Sequence, residues 1–416
     1  MNDSSIRLRI IPAMSEVEPA AWDACANPQP DAPAKAPGGP PAAGMTQGAL
    51  NSQDYPHNPF ISYDFLHALE ASGSATARAG WQPQHVLAET ADGAILGAVP
   101  CYLKSHSRGE YVFDRGWAEA YERAGGQYYP KLQVSVPFTP ATGRRLLLRP
   151  GPQAEPVRAS LAAGLVELCR RHEASSVHVT FMPEVECRFL VERGFLHRTD
   201  QQFHWENAGY GSFDGFLEAL SARKRKTIRR ERRDALAPGI SVHWLTGSDL
   251  TEEVWDAFFA FYMATGSRKW GRPYLTRKFY SLVGERMSDK IALIMAKRAG
   301  RFIAGAINFI GSDTLFGRHW GAVEHHPFLH FELCYYQAID FAIARGLKRV
   351  EAGAQGEHKL ARGYLPVTTH SAHYIADAGL RRAVADYLLR ERAYVEAAGE
   401  ELAAAAPFRK DLVEQD

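Results

Sequence analysis

The stretch IALIMAKRAGRFIAGAINFIGSDTLFGRHWGA, residues 291–322, decides the fold of the second half of the chain. Its apolar runs are interrupted at Ala299-Gly300 and at residues 311–313 (Gly-Ser-Asp), which are turn-forming sequences. The pattern predicts three consecutive antiparallel strands. Residues 328–345 follow with apolar side chains at helical spacing and Gly346 as a stop, and residues 348–354 (KRVEAGA) have the pattern of another strand.

The sequence upstream extends this order of elements and repeats it once. A long helix is predicted from Ser212 to about Leu236, and further helices over 251–263 and 276–287. The first half has a similar but looser order, with a hairpin signal at residues 91–93. We therefore predict a mixed α/β (α+β) protein of two tandem domains with largely antiparallel sheets, over residues 1–205 and 206–416. Residues 27–48, rich in Pro, Ala and Gly, are predicted to be a flexible linker or insertion.

Composition limits the class of protein. The 416 residues carry a formal net charge of +1 and five scattered cysteines without a C-x-x-C pair, which argues against a disulfide framework and a cysteine zinc site. We see no signal peptide and no apolar run near the ~18 residues of a membrane span. The expectation is a cytoplasmic protein.

Three segments resemble a bacterial family described as FemAB-like and associated with peptidoglycan biosynthesis/recognition. They are AYERAGGQYYPKLQVSVPFTPATG (120–143), WGRPYLTRKFYSL (270–282) and the stretch from GRFIAGAINF to KLARGYLP (300–366). The resemblance covers roughly residues 55–395 and implies two GNAT-like acyltransferase domains in one chain. The order of elements in the second half is also that of the GNAT acetyltransferase fold.

The resemblance implies an N-acyltransferase that moves an acyl group from acyl-CoA, or an acyl carrier, to an amine. Some bacterial ceramide synthases look similar, which suggests a sphingoid base as acceptor and a peripheral position at the inner membrane. One alternative is a Fem-like transfer from aminoacyl-tRNA to a peptidoglycan precursor, although the coiled-coil arm common in such enzymes is missing from the sequence. The other is a non-catalytic binding module on a GNAT scaffold.

One departure from the GNAT pattern bears on the donor. GNAT enzymes hold the CoA pyrophosphate on a glycine-rich turn between the meander and the next helix. Here that junction is VEHHPFLHFE (323–332), without glycine. This favours an unusual donor site, or a donor other than acetyl-CoA.

The candidate catalytic residues are His325, His326, His330, Glu332 and Glu351. Acyl transfer to an amine requires a base for the ammonium proton, and histidine titrates near neutrality. In a GNAT-like fold, residues 324–332 and the end of the strand that carries Glu351 would meet at the donor site. The alternative is that these histidines cap the helix or bond to loop carbonyls. His326 and His330 are four residues apart, but Pro327 interrupts the helix and no H-E-x-x-H motif occurs, so no metal site is predicted.

A basic segment, RKRKTIRRERR at residues 223–233, contrasts with the neutral chain. We predict that it contacts an anionic membrane surface or phosphates of CoA or tRNA, the alternative being a solvated helix face. Arg229, Arg230, Lys359 and Arg362 are the candidate donor-binding residues.

Overall fold

The computed structural model describes residues 5–29, 56–269, 273–353 and 356–409. Most of the predicted linker, residues 30–48, lies outside these ranges. The strands are β1 Arg7–Ile11, β2 Trp81–Pro83, β3 His85–Glu89, β4 Ile95–Val99, β5 Cys101–Lys104, β6 Lys131–Val134, β7 Leu147–Leu148, β8 Ser176–Met182, β9 Leu196–Glu206, β10 Ile240–Leu245, β11 Ile291–Arg298, β12 Arg301–Ile310, β13 Thr314–Ala322, β14 Arg349–Glu351 and β15 Leu365–Ile375.

The α-helices are α1 Pro19–Ala26, α2 Tyr63–Ala71, α3 Arg115–Arg123, α4 Ala154–Arg171, α5 Glu184–Val191, α6 Phe213–Ala219, α7 Ala222–Leu236, α8 Glu252–Lys269, α9 Arg277–Met287, α10 Leu329–Phe331, α11 Gln337–Ala344 and α12 Ala378–Ala404. A single π-helical turn, Glu332–Tyr336, joins α10 to α11. Among the described residues, no helix combines the length and the apolar character needed to cross a membrane.

Within the described residues, one sheet of eleven strands runs through both halves in the order β10-β11-β12-β13-β14-β9-β15-β8-β6-β5-β2. A smaller sheet, β1-β3-β4-β7, packs on the first half. Neighbouring strands are antiparallel except at the pairs β13–β14 and β6–β8. The predicted mixed, largely antiparallel α/β architecture is confirmed.

The two halves exchange strands at the centre of the large sheet. β9, from the first half, pairs with β14 of the second half. β15, from the second half, pairs with β8 of the first half and also with β9. The division at 205/206 stays a prediction, and the sheet continues across it because β9 ends at Glu206 inside this exchange.

The predicted meander is present as β11, β12 and β13, with turns at the predicted positions. The predicted helix 212–236 is divided into α6 and α7, because Leu220 between them is extended, fully buried and bridged to Phe408. The predicted helix 328–345 is present with its π-helical turn.

An apolar core joins the two halves. The ring of Phe60 lies 5.1 Å from that of Phe309, and the ring of Phe65 lies 5.6 Å from that of Phe279. The first residue of each pair comes from the first half and the second from the second half. The halves therefore pack as one unit and together can form the walls of a site.

Candidate active site

A cleft opens where β13 and β14 separate. The two strands are paired only from Thr314–Phe316 to Arg349–Glu351, and beyond this pairing they diverge. The space between them belongs to a cleft of about 520 Å³. It is lined by residues of both halves: Tyr111, Phe113, Pro140 and Asp200 from the first, and Tyr262, Thr265, Gly266, Pro273, Tyr274, Gly317, Arg318, His319, Trp320, His330, Ala352, Gly353 and Lys359 from the second.

Glu351 ends β14 at the point where the strands separate. Its side chain is buried, and Oε2 has no hydrogen-bond partner among the described residues. Burial raises the pKa of Glu351 to about 7, although Arg349 and the backbone N–H of Thr142 act in the opposite direction. A carboxyl group with this pKa can accept and release a proton near neutral pH.

His204 is the nearest histidine to this carboxyl group, with Nε2 4.0 Å from Oε2 of Glu351. Burial, followed by Arg349 and Lys359, lowers the pKa of His204 to about 3. The imidazole is therefore neutral at physiological pH and does not form an ion pair with Glu351. The carboxyl group keeps its raised pKa for this reason.

Arg318 is the extra residue of a β-bulge in β13. Ile307 pairs with His319 and Asn308 pairs with Gly317, so Arg318 has no partner on β12. Bulges change the direction of a side chain and often occur next to active sites. The Arg318 guanidinium donates a hydrogen bond to the carbonyl of Phe138 and contacts Tyr111, and burial lowers its pKa.

Arg318 brings a positive charge next to Glu351. Both side chains line a hole of about 10 Å³ that adjoins the cleft through Gly317 and Gly353. No described carboxylate lies within 4.0 Å of the Arg318 guanidinium. A partly buried cation without a carboxylate partner can stabilise an anionic or carbonyl oxygen of a substrate. Arg318 was not among the residues predicted from the sequence, although an arginine inside the apolar strand TLFGRHWGA is a signal that could have identified it.

Lys359 lies in the cleft wall but is turned towards the backbone. Its Nζ donates hydrogen bonds to the carbonyls of Ala352 (2.6 Å) and Gly353 (3.0 Å), the two residues after Glu351. Burial lowers the pKa of Lys359 to about 8. Lys359 therefore fixes the end of β14, which differs from the donor-phosphate contact expected from the sequence.

Of the predicted cluster at 324–332, His330 is the residue that lines the cleft, with its ring 5.2 Å from that of Trp320. His325 is exposed. His326 forms a 2.9 Å hydrogen bond with Glu324, which also pairs with Arg298. These two histidines are not among the residues that line the cleft.

Glu332 faces the basic helix instead of the cleft. Its fully buried carboxylate lies 3.0 Å from Arg232 of α7 and accepts a hydrogen bond of 2.7 Å from Gln337. His330 and Glu332 are two residues apart, about 200° around a helix, so they point to opposite sides. Glu332 is therefore held in a buried ion pair, and its role as a base stays a prediction.

The candidate donor-binding arginines also lie outside the cleft lining. Arg362 forms a buried ion pair of 2.8 Å with Glu231 and donates a hydrogen bond to the carbonyl of His358. Arg229 pairs with Asp214. The exposed basic side chains of α7 are Arg223, Lys226, Arg229, Arg230 and Arg233. They form an exposed basic face, whose partner stays a prediction.

The corresponding place in the first half is filled by protein. β6 and β8 are parallel from Leu132–Val134 to Val177–Val179, as β13 and β14 are in the second half. Beyond that pairing, the fully buried guanidinium of Arg145 donates hydrogen bonds to the carbonyls of Ala141, Gly143, Arg144 and Thr180 at 2.8–3.0 Å. An open cleft therefore lies beyond the parallel pair β13–β14, whereas Arg145 occupies the corresponding space beyond β6–β8.

No three His, Cys, Asp or Glu side chains of the described residues are placed to hold a metal ion. The ionisable groups that line the cleft include Asp200, His330 and the partly buried His319, and Glu351 lies on the adjoining hole. Burial and then Arg318 lower the pKa of His319 to about 3. His319 is therefore neutral at physiological pH.

A protein-family model matches nearly the whole chain, and a solved structure shares its fold. A family model described as FemAB-like, peptidoglycan biosynthesis/recognition, matches residues 13–410. The comparison with curated proteins gave no match. The structure of FemX is similar with a TM-score of 0.51 and 11% identity, over 82% of this chain and 100% of that chain. This likeness shows a shared fold.

Two further solved structures are more distant. L-PGS from Bacillus licheniformis has a TM-score of 0.47 at 9% identity, over 77% of this chain and 95% of that chain. A tandem GNAT protein from the clavulanic acid biosynthesis pathway has a TM-score of 0.44 at 13% identity, over 90% of this chain and 99% of that chain.

Proposed function

Because the chain belongs to the FemAB-like family, we propose that it transfers an acyl group from an activated donor to an amine, with Glu351 as the general base. The observation that supports this most is the buried carboxyl group of Glu351, whose pKa is raised to about 7, on a small hole that adjoins the open cleft. A base with this pKa is partly ionised at neutral pH, and it can take the proton of a substrate ammonium group.

In the proposed reaction, Glu351 first takes the proton of the substrate ammonium group, and the neutral amine nitrogen then attacks the acyl carbonyl carbon. A C–N bond forms and a tetrahedral oxyanion results, which Arg318 stabilises. The bond to the leaving thiol or alcohol then breaks, and the proton returns from Glu351 to that leaving group. The nitrogen releases its second proton to solvent as the amide forms, and Glu351 ends the cycle ionised.

We propose acyl-CoA, or an acyl carrier, as donor and a long-chain amine such as a sphingoid base as acceptor. The support is the aromatic wall of the cleft, which includes Tyr262, Tyr274 and Trp320, together with Phe113, which is 65% exposed at the cleft. Apolar walls with few polar groups suit an amphiphilic substrate. The exposed basic face of α7 would hold the protein at an anionic membrane surface.

A second candidate is the aminoacyl-tRNA-dependent transfer. It is favoured by the missing glycine turn at residues 323–332, where the short helix α10 starts after Phe328, a residue with φ of 62°. That junction has no glycine to let backbone N–H groups approach a pyrophosphate closely, and its His326 side chain is bonded to Glu324. The exposed basic face of α7 would then contact tRNA phosphates.

The test is a transfer assay with product detection by mass spectrometry. The purified protein is incubated with palmitoyl-CoA and sphinganine, or with aminoacyl-tRNA and an amine acceptor. We expect Glu351→Gln to lower kcat by about 10²–10⁴-fold and Glu324→Gln, a surface carboxylate, to have little effect. Full activity in Glu351→Gln would contradict the proposed base.

A further inference from the structure

A second cleft, of about 660 Å³, lies between the two halves beside the candidate active site. Pro273 and Tyr274 line both clefts, so this segment separates them. The remaining wall contains aromatic, apolar and basic side chains. Those that matter here are Arg78, Trp81, His106, Arg108, Phe138, Phe259, Met263 and Leu275.

The walls of this cleft are fixed by close packing of side chains against two glycines and by hydrogen bonds between the halves. Gly80 has φ of 73°, and a Cβ atom there would lie 2.3 Å from Nε2 of His106. Gly109 has φ of 82°, and a Cβ atom would lie 2.5 Å from the ring of Phe138. Thr276 also donates hydrogen bonds to Ser74 Oγ (3.2 Å) and to the carbonyl of Ser72 (3.1 Å). The cleft is therefore formed before a ligand binds, which reduces the entropy cost of binding.

The charge of the cleft is positive. Arg78 and Arg108 are exposed, and no described carboxylate lies within 4.0 Å of either. No Asp or Glu is among the described lining residues. Burial, and then Lys104 and Arg108, lower the pKa of His106 to about 4, which agrees with a positive local potential. Arg277 differs, because Glu252 and Asp256 pair with it.

Apolar surface lies next to these two arginines. Phe259 is half-buried in the cleft wall, and Met263 is 37% exposed there. Tyr274 stacks on Phe138, with 4.8 Å between ring centroids and 12° between planes, at the boundary with the active-site cleft. A ligand that fits must combine an anionic group with an apolar or aromatic body.

We propose that this second cleft binds a phosphate- or carboxylate-bearing ligand with an apolar or aromatic body, and that this ligand is the acceptor substrate: a long-chain amine that also carries an anionic group, and not the free sphingoid base. The anionic group lies on Arg78 and Arg108, and the body lies along Phe259 and Met263. Its amine then reaches past Tyr274 to Glu351. The assignment as acceptor rests on the proposed function, whereas the binding of such an anion does not.

The test measures binding of octyl phosphate, octanoate and octylammonium to the full-length protein by isothermal titration calorimetry. We expect octyl phosphate or octanoate to bind and octylammonium to bind weakly. The anion with the higher affinity shows whether the ligand carries a phosphate or a carboxylate. Arg78→Gln and Arg108→Gln should each weaken anion binding by about tenfold, since a charge-assisted hydrogen bond is lost. The matched control is Arg382→Gln, an exposed arginine on α12, and it should leave the affinity unchanged.

Two further variants complete the test. Phe259→Ala should weaken binding of octyl phosphate but not that of inorganic phosphate. Glu351→Gln should still bind the anion but should lose transfer activity. If it retains transfer activity as well, the proposed role of Glu351 is contradicted, whereas the anion site is still supported. Unchanged affinity in both arginine variants, or octylammonium binding as tightly as the anions, would overturn the site.

Discussion

Replacing Glu332 by Gln should destabilise the fold but leave the transfer rate within about fivefold of the wild type, a change too small for the loss of a general base. Glu332 is fully buried, and its Oε1 and Oε2 lie 3.0–3.3 Å from nitrogens of Arg232. Gln337 donates a further hydrogen bond to Oε1. The side chain therefore has structural partners on the side away from the cleft.

The expected loss in free energy of unfolding depends on which charge each variant leaves buried and how many partners that charge keeps. Breaking a buried ion pair costs about 3–5 kcal/mol when the remaining charge has no partner. In Glu332→Gln, Arg232 keeps its 2.7 Å contact with Asp340, so the expected loss is smaller, about 1–3 kcal/mol. In Arg232→Met, the buried carboxylate keeps only Gln337, so the loss should approach the full value.

The assay pairs urea unfolding with single-turnover transfer rates. Glu119→Gln is the matched control, because Glu119 pairs with Arg115 on an exposed helix surface and should change stability by less than about 0.5 kcal/mol. The reasoning would be refuted if Glu332→Gln lost about 100-fold or more in rate with no change in its urea midpoint, since that pattern belongs to a catalytic group.

Four other predictions follow from individual contacts. Arg318→Met should lower kcat/KM by about 10²–10³-fold with a smaller loss in Arg318→Lys, and an equal rate in all three proteins would exclude a role in charge stabilisation. His326→Ala should change the single-turnover rate by less than about fivefold because His326 is hydrogen-bonded to Glu324 outside the cleft, whereas His330→Ala, which alters the cleft wall, should lower it more. A triple variant that changes Arg229, Arg230 and Arg233 to Ser and keeps Arg232 should bind tRNA or anionic liposomes more weakly. For tRNA, the slope of log affinity against log salt concentration should fall by about 2–3. Affinities for both ligands equal to those of the wild type would indicate that this helix face contacts only solvent. The pKa of Glu351 is about 7 in the folded state and lies above its unfolded value, so the folded state binds more protons and its stability should fall as pH rises from about 4.3 to 7. Glu351→Gln lacks this titration, so between pH 4 and pH 8 its free energy of unfolding should gain roughly 3 kcal/mol relative to that of the wild type. Urea unfolding measures this difference, and parallel pH curves for the two proteins would contradict the prediction.

The local elements of the fold were predictable because their signals are local. The turn at Ala299-Gly300 and the alternating strands on either side of it specify β11 and β12 without help from the rest of the chain. The exchange of β9 and β15 was not predictable in this way. Pairing between residues such as Thr369 and Asp200 joins segments far apart in sequence, and a single sequence does not indicate such partners.

Part of the candidate site was also predictable from local signals, and part was not. Glu351 was identified from its place at the end of a strand, and the structure gives it burial and a raised pKa. Glu332 was assigned to the site because it is close to His330 in sequence, but helix geometry directs the two side chains to opposite sides. Arg318 was missed because a β-bulge depends on the register with β12, which the residue pattern of β13 alone does not specify.

The most direct test of the central claim is the pH dependence of kcat/KM for transfer in the wild type and in Glu351→Gln, measured between pH 5 and 9. The base must be ionised to accept the ammonium proton, so the wild-type value should rise about tenfold per pH unit below pH 7 and bend near the pKa of Glu351, about 7. The Glu351→Gln variant should be slower and should lack this bend. A bend near pH 7 that persists in Glu351→Gln at undiminished rate would show that another group is the base and would contradict the account.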